Sequence, residues 1–126
     1  MTLKIRLLLT ATALFFSSTV LAHGDDNHSH ETREQTAWHN IGQGALIIDA
    51  RTAQEYAQGH IKGAINIPFN MAVEQFSVLE IRKDRKVVLY CRSGNRSGKA
   101  LASLKKAGYS NLHNGGGYQA IMSAKE

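Results

Sequence analysis

The sequence predicts an α/β domain in which a parallel sheet is covered by helices on both faces. Two short apolar runs, "ALIID" (Ala45 to Asp49) and "VVLY" (Val87 to Tyr90), lack polar alternation and read as strands buried on both sides. Segments of helical spacing separate such runs, and Gly59, Pro68 and Gly108 stand where elements should end. Strands alternating with helices argue a parallel sheet, since each parallel neighbour needs a crossover.

The first strand is Ala45 to Asp49. Thr52 then opens "TAQE", where a Thr three residues ahead of Glu55 forms a capping box for a short helix closed by Gly59. "AINIP" (Ala64 to Pro68) alternates as a strand does, and Pro68 ends it. Asn70 to Ile81 carries Met71, Val73, Phe76, Val78 and Leu79 near helical spacing. Arg82 to Lys86 is a charged turn before the strand Val87 to Tyr90. Ser97 to Ala107 predicts a helix with Ala100, Leu101 and Leu104 on one face and Lys99, Lys105 and Lys106 in water. "NLHN" (Asn111 to Asn114) is a brief strand, Gly115 to Gly117 a turn, and Tyr118 to Ala124 a last helix. Trp38, Tyr90 and Tyr109 are expected to pack, and there is no internal repeat.

The N-terminal residues belong to another problem. Lys4 and Arg6 precede an apolar stretch, Leu7 to Leu21, and Val20 and Ala22 are small where a signal peptidase reads. The stretch falls short of the roughly 20 residues that span a bilayer. Residues 1–22 are therefore expected to be a cleaved signal peptide, residues 23–34 a flexible polar tail, and residues 35–126 one small domain. No membrane association is expected after cleavage. His23, Asp25, Asp26, His28 and His30 could bind a divalent metal, but their spacing matches no closed ligand set, and a solvated tail is preferred. The formal charge of +5 comes partly from Lys4 and Arg6, and no aromatic-plus-basic stripe accompanies it, so no nucleic-acid partner is expected.

Cys91 is the chain's single cysteine, which excludes internal disulfides. It directly follows the second strand, and the loop "CRSGNRS" leads towards a helix N-terminus, where amides and the helix dipole lower a thiol pKa and attract anions. Arg92, Ser93, Gly94, Asn95, Arg96 and Ser97 cannot all be buried unpaired, so a reactive thiolate is preferred over an inert core cysteine. A nucleotide phosphate loop fails on spacing, because Gly98-Lys99 is followed by Ala100 and Ser93 stands where the first glycine belongs. A cysteine phosphatase needs five residues between Cys and Arg, and Arg96 comes one place early. A sulfur-handling loop, tighter by that residue, remains.

The chain resembles the rhodanese family. "DARTAQEYAQGHIKGAINIP" (Asp49 to Pro68) resembles its first motif, "VVLYCRSGNRS" its active-site strand and six-residue loop, and "AGYSNLHNGGGYQA" (Ala107 to Ala120) its closing segment. Tyr118 departs from the Trp of many relatives, a difference expected to affect packing. The short form with an export signal is similar to the phage-shock-type periplasmic rhodaneses.

The resemblance implies a small central parallel sheet of about five strands with helices on both faces, a periplasmic protein, and no cofactor or metal. It implies that Cys91 takes the sulfane sulfur of thiosulfate or a related small anionic donor and passes it to cyanide or a thiol. Residues 92 to 97 would bind substrate, with Arg92 and Arg96 on the anion and the loop amides on the sulfur. Asp49 and Arg51 would support the site by fixing loops, and His60 would anchor a turn. A non-catalytic persulfide or anion-binding module is the alternative.

Overall fold

The computed structural model describes residues 30–126. The expected signal peptide, most of the expected tail, and His23, Asp25, Asp26 and His28 lie outside the described residues; His30 is exposed. Among the described residues no helix is long and apolar enough to cross a membrane, and no group of three or more potential ligands could hold a metal ion.

The elements in order are α1 (Arg33–Gly42), β1 (Leu46–Asp49), α2 (Ala53–Ala57), β2 (Ile65–Asn66), a 3-10 turn (Phe69–Met71), α3 (Ala72–Val78), β3 (Val87–Cys91), α4 (Asn95–Lys106), β4 (Leu112–Gly117) and α5 (Tyr118–Ser123). The sheet has the order β2-β1-β3-β4, and each neighbouring pair is parallel. Among the described residues there are four strands where about five were expected.

Alternation along β3 divides the core. Val87 and Leu89 face a cluster with Phe76 of α3 and with Ala100 and Leu104 of α4. Tyr90 faces the other side with Ile121 of α5 and Trp38 and Ile41 of α1, and Val88 packs there against Ala37. Phe76 is fully buried, an apolar transfer of about 1.5–3 kcal/mol, and its ring meets Tyr109 edge-on at 5.2 Å.

Four local readings are corrected. The helix expected over Asn70 to Ile81 is a 3-10 turn followed by the shorter α3, and Met71, Val73, Val78 and Leu79 are 40 to 67% exposed. The chain leaves α3 through Glu80 at φ +53, which ends the repeat before Ile81 can join it. The helix expected from Ser97 begins at Asn95, because Gly94 takes the left-handed φ of +93 and can cap it there. Gly115 to Gly117 form the end of β4 rather than a turn; Tyr90 pairs with Gly116 and Cys91 with Gly117, past a bulge opposite Leu89/Tyr90. Finally, α1 occupies a region where no element was expected, and its first residues, Arg33 and Glu34, fall within the segment read as tail.

Candidate active site

Cys91 ends β3 and is fully buried. By the two-residue period of a strand it shares the face of Val87 and Leu89, the side that α4 covers. Three residues after it, Gly94 turns the chain and its amide donates to Cys91 Sγ at 3.0 Å. The first turn of α4 then brings Ser97 back, with its hydroxyl 3.5 Å from the same sulfur. Burial alone would push the Cys91 thiol up. The Ser97 hydroxyl, together with the amides of Ser97, Ser93 and Gly94, outweighs it and holds the thiol at about 7 against an ordinary 9.0. The sequence suggested that amides from Arg92 to Ser97 would stabilise the sulfur. Those of Ser93, Gly94 and Ser97 act on it, since α4 starts inside the loop and its first turn supplies the last of them.

Asn114 of β4 fixes this loop and was not anticipated. Its Nδ2 donates to the Gly94 carbonyl at 2.9 Å, while its Oδ1 accepts from Ser97 Oγ at 2.8 Å and from the Gly116 amide at 3.1 Å. The glycines of β4 let backbone lie against backbone here. A Cβ on Gly117 would run into the Arg92 carbonyl oxygen, and one on Gly94 would lie 3.1 Å from Gly116 Cα. Arg33 of α1 closes the outer side, donating to the Ser93 carbonyl at 3.3 Å.

The loop's two arginines differ. Arg92 is exposed and has no hydrogen-bond or ionic partner among the described residues. Arg96 is gripped by Glu55 of α2, with Nη1 to Oε1 at 2.7 Å and Nη2 to Oε2 at 2.9 Å. The guanidinium holds the Glu55 carboxyl down at about 2, and the same carboxylate caps α2 by accepting from the Thr52 amide at 3.2 Å. Glu55 was visible in the sequence as a cap but not as part of the site. Ser93 and Asn95 have exposed side chains.

Asp49 and Arg51 form a buried pair beside the loop. Arg51 Nε lies 2.9 and 3.1 Å from the two carboxylate oxygens, Nη2 donates to Oδ2 at 2.6 Å, and Nη2 also reaches the Gly59 carbonyl at 2.7 Å. The Tyr90 hydroxyl donates to Asp49 at 2.8 Å and accepts from the Ile61 amide at 3.1 Å. The Arg51 guanidinium stacks 4.6 Å from the Tyr118 ring centroid. Asp49 raises the Arg51 pKa by direct hydrogen bonds, and burial raises that of Tyr90. His60 donates through Nδ1 to the Tyr56 carbonyl at 2.8 Å and stacks on the Tyr56 ring at 3.6 Å. An open cleft of about 380 Å³ is lined by Arg51, Glu55, Gln58, Gly59, Arg92, Tyr118 and Gln119.

A parallel α/β sheet with an acidic thiol in the loop between a central strand and a helix N-terminus defines a class of protein built around a cysteine nucleophile. The chain belongs to the rhodanese-like sulfurtransferase family, whose Rhodanese-like domain model matches residues 33–124. It is 37% identical over 78 residues to the thiosulfate sulfurtransferase PspE of Escherichia coli, covering 62% of this chain and 75% of that one. It is 46% identical over 69 residues to a sulfurtransferase of Allochromatium vinosum, covering 55% and 63% of the two chains. Among solved structures, the rhodanese with anions from E. coli superposes with a TM-score of 0.58 at 36% identity, over 61% of this chain and 91% of that one. The human single-domain sulfurtransferase TSTD1, at 21% identity and a TM-score of 0.59 over 72% and 93% of the chains, shares the fold.

Proposed function

We propose that this protein is a thiosulfate sulfurtransferase that works through a Cys91 persulfide, exported to the periplasm by residues 1–22. The observation that carries the reading is the set of donors converging on Cys91 Sγ, the Gly94 amide at 3.0 Å and the Ser97 hydroxyl at 3.5 Å, which lower the thiol to about 7. About half of it is thiolate at neutral pH, so no general base is needed. The thiolate attacks the outer sulfur of thiosulfate. A bond forms between Cys91 Sγ and that sulfur, the donor's S–S bond breaks, and sulfite leaves with the electron pair. Cyanide or a thiol then attacks the outer sulfur of the persulfide, and the Cys91 thiolate is restored.

The same amides would stabilise thiolate and persulfide in turn. Arg92 is suited to hold the incoming anion, because its charge is not spent on a partner among the described residues. Arg96 contributes less charge, as Glu55 offsets it. Asp49 and Arg51 act as a frame: the pair ties the end of β1 to Gly59, and through Tyr90 to Ile61.

Purified protein is expected to form thiocyanate from thiosulfate and cyanide, and to lose this in Cys91→Ala. Mass spectrometry after thiosulfate treatment should find one extra sulfur atom on Cys91. Sulfur loading without transfer to any acceptor would favour a binding module; a folded protein that neither loads nor transfers sulfur overturns the proposal. Aryl phosphate hydrolysis is expected to be absent.

A further inference from the structure

Three cationic side chains stand around the site, with charges offset to different degrees: Arg51 and Arg92 line the open cleft, and Arg96 lies in the first turn of α4, where Glu55 and then Cys91 raise its pKa. Asp49 compensates Arg51 at 2.6 Å, and Glu55 compensates Arg96 with two hydrogen bonds. Arg92 has no such partner among the described residues, and the thiolate of Cys91 adjoins it in sequence. Because the loop amides and the Ser97 hydroxyl hold the thiolate, the surrounding side chains are left with one unspent positive charge, that of Arg92. A guanidinium in the first turn of α4 is also opposed by the helix dipole, so a nearby carboxylate is what makes Arg96 favourable there. Two of its five N–H donors go to Glu55, leaving three to contact a ligand without net charge to offer.

We propose that Glu55 is a specificity-determining residue: by holding Arg96 in an ion pair, it fits the site to sulfur donors carrying one negative charge rather than two. The inference rests on the sulfurtransferase reading for its chemistry. The favoured donors are of the thiosulfonate class. Cys91 thiolate attacks the terminal sulfur of R–SO₂–S⁻, the S–S bond forms, the donor's S–S bond breaks, and a sulfinate R–SO₂⁻ leaves with the electron pair. A dianion such as thiosulfate uses the same step but brings a second charge that nothing in the cleft neutralises.

The test compares kcat/KM for benzenethiosulfonate and for thiosulfate in the wild type and in Glu55→Gln. Gln keeps an acceptor for the Thr52 amide, so α2 retains its cap. The ratio of dianion to monoanion turnover is expected to rise ~5- to 10-fold in Glu55→Gln, the size expected for one charge removed near a partly exposed site. Taking the ratio cancels the intrinsic reactivity of the two donors. Arg92→Gln, at an exposed residue, should move the ratio the other way by a similar factor and does not depend on the ion pair for folding. Calorimetry of thiosulfate binding to Cys91→Ala, with and without Glu55→Gln, should show tighter binding in the double variant. That arm decides the charge inference even if the wild type turns over neither donor, which would overturn the sulfurtransferase reading alone. Unchanged ratios in both variants, or unchanged thiosulfate binding, overturn the role given to Glu55.

Discussion

Ser97→Ala isolates the hydroxyl's share in activating Cys91. In the folded protein Ser97 Oγ lies 3.5 Å from Sγ and 2.8 Å from Asn114 Oδ1, so its one proton is divided between a sulfur and a carbonyl oxygen. A hydrogen bond to a charged acceptor contributes about 1.5–3 kcal/mol, and this long, shared one should fall at the lower end. A loss of about 1.4 kcal/mol corresponds to one decade in acidity and raises the thiol pKa to ~8. At pH 7 the thiolate fraction then falls from about one half to about one tenth, and alkylation by iodoacetamide slows ~5-fold. Near pH 10 the two proteins should react at similar rates, because both are fully ionised. The Ser97 amide survives the substitution, and Asn114 Oδ1 keeps its bond from Gly116, so stability should drop by only about 1 kcal/mol. The measurement is the rate of alkylation from pH 5 to 10, with thermal unfolding as the control. A folded variant whose midpoint stays near 7 refutes the reasoning, and a deficit persisting at pH 10 assigns the effect to loop geometry.

Two further outcomes test the frame around the loop. Gly117→Ala puts a methyl against the Arg92 carbonyl, a backbone atom that cannot swing away, and should destabilise the domain by ~3 kcal/mol, lowering the melting temperature by more than ~10 °C in differential scanning fluorimetry; a shift below a few degrees contradicts the packing. Arg51→Met leaves the fully buried Asp49 with only the Tyr90 hydroxyl and the Arg51 amide as partners, at a cost of about 3–5 kcal/mol in urea unfolding; a loss under about 1 kcal/mol would mean that the carboxylate is not relying on the guanidinium.

The sheet was legible because burial on both faces writes itself into sequence as uninterrupted apolar runs, as in Val87 to Tyr90. The thiol was legible because one cysteine followed by arginines and glycines has few inert explanations. What the sequence concealed were contacts between distant segments. Asn114 and Glu55 are separated from Cys91 by 23 and 36 positions and carry local roles, strand and cap, that fully account for them when read alone. Helix α1 was missed although Thr32 and Gln35 form a capping box and Ala37, Trp38 and Ile41 share a face; the polar residues around it dilute the periodic signal. The apolar residues of α3 misled in the opposite sense, since spacing gives a helix's period but not its length, and Glu80 ends it early. Gly115 to Gly117 read as a turn because three glycines have no side chains with which to announce a strand; here they are chosen for how closely β4 must approach the loop.

That closeness limits what the fold can become. A phosphate cradle differs from this loop by one inserted residue between the cysteine and the arginine. In this chain the extra residue has no room on the side of β4: a Cβ on Gly94 would already lie 3.1 Å from Gly116 Cα, and the Arg92 carbonyl already occupies the space beside Gly117. Only the solvent side, where Ser93 and Asn95 are exposed, is open to it. A loop widened towards β4 requires β4 to move, and moving β4 alone loosens the thiol it serves, so three residues without side chains decide on which side the two chemistries can diverge.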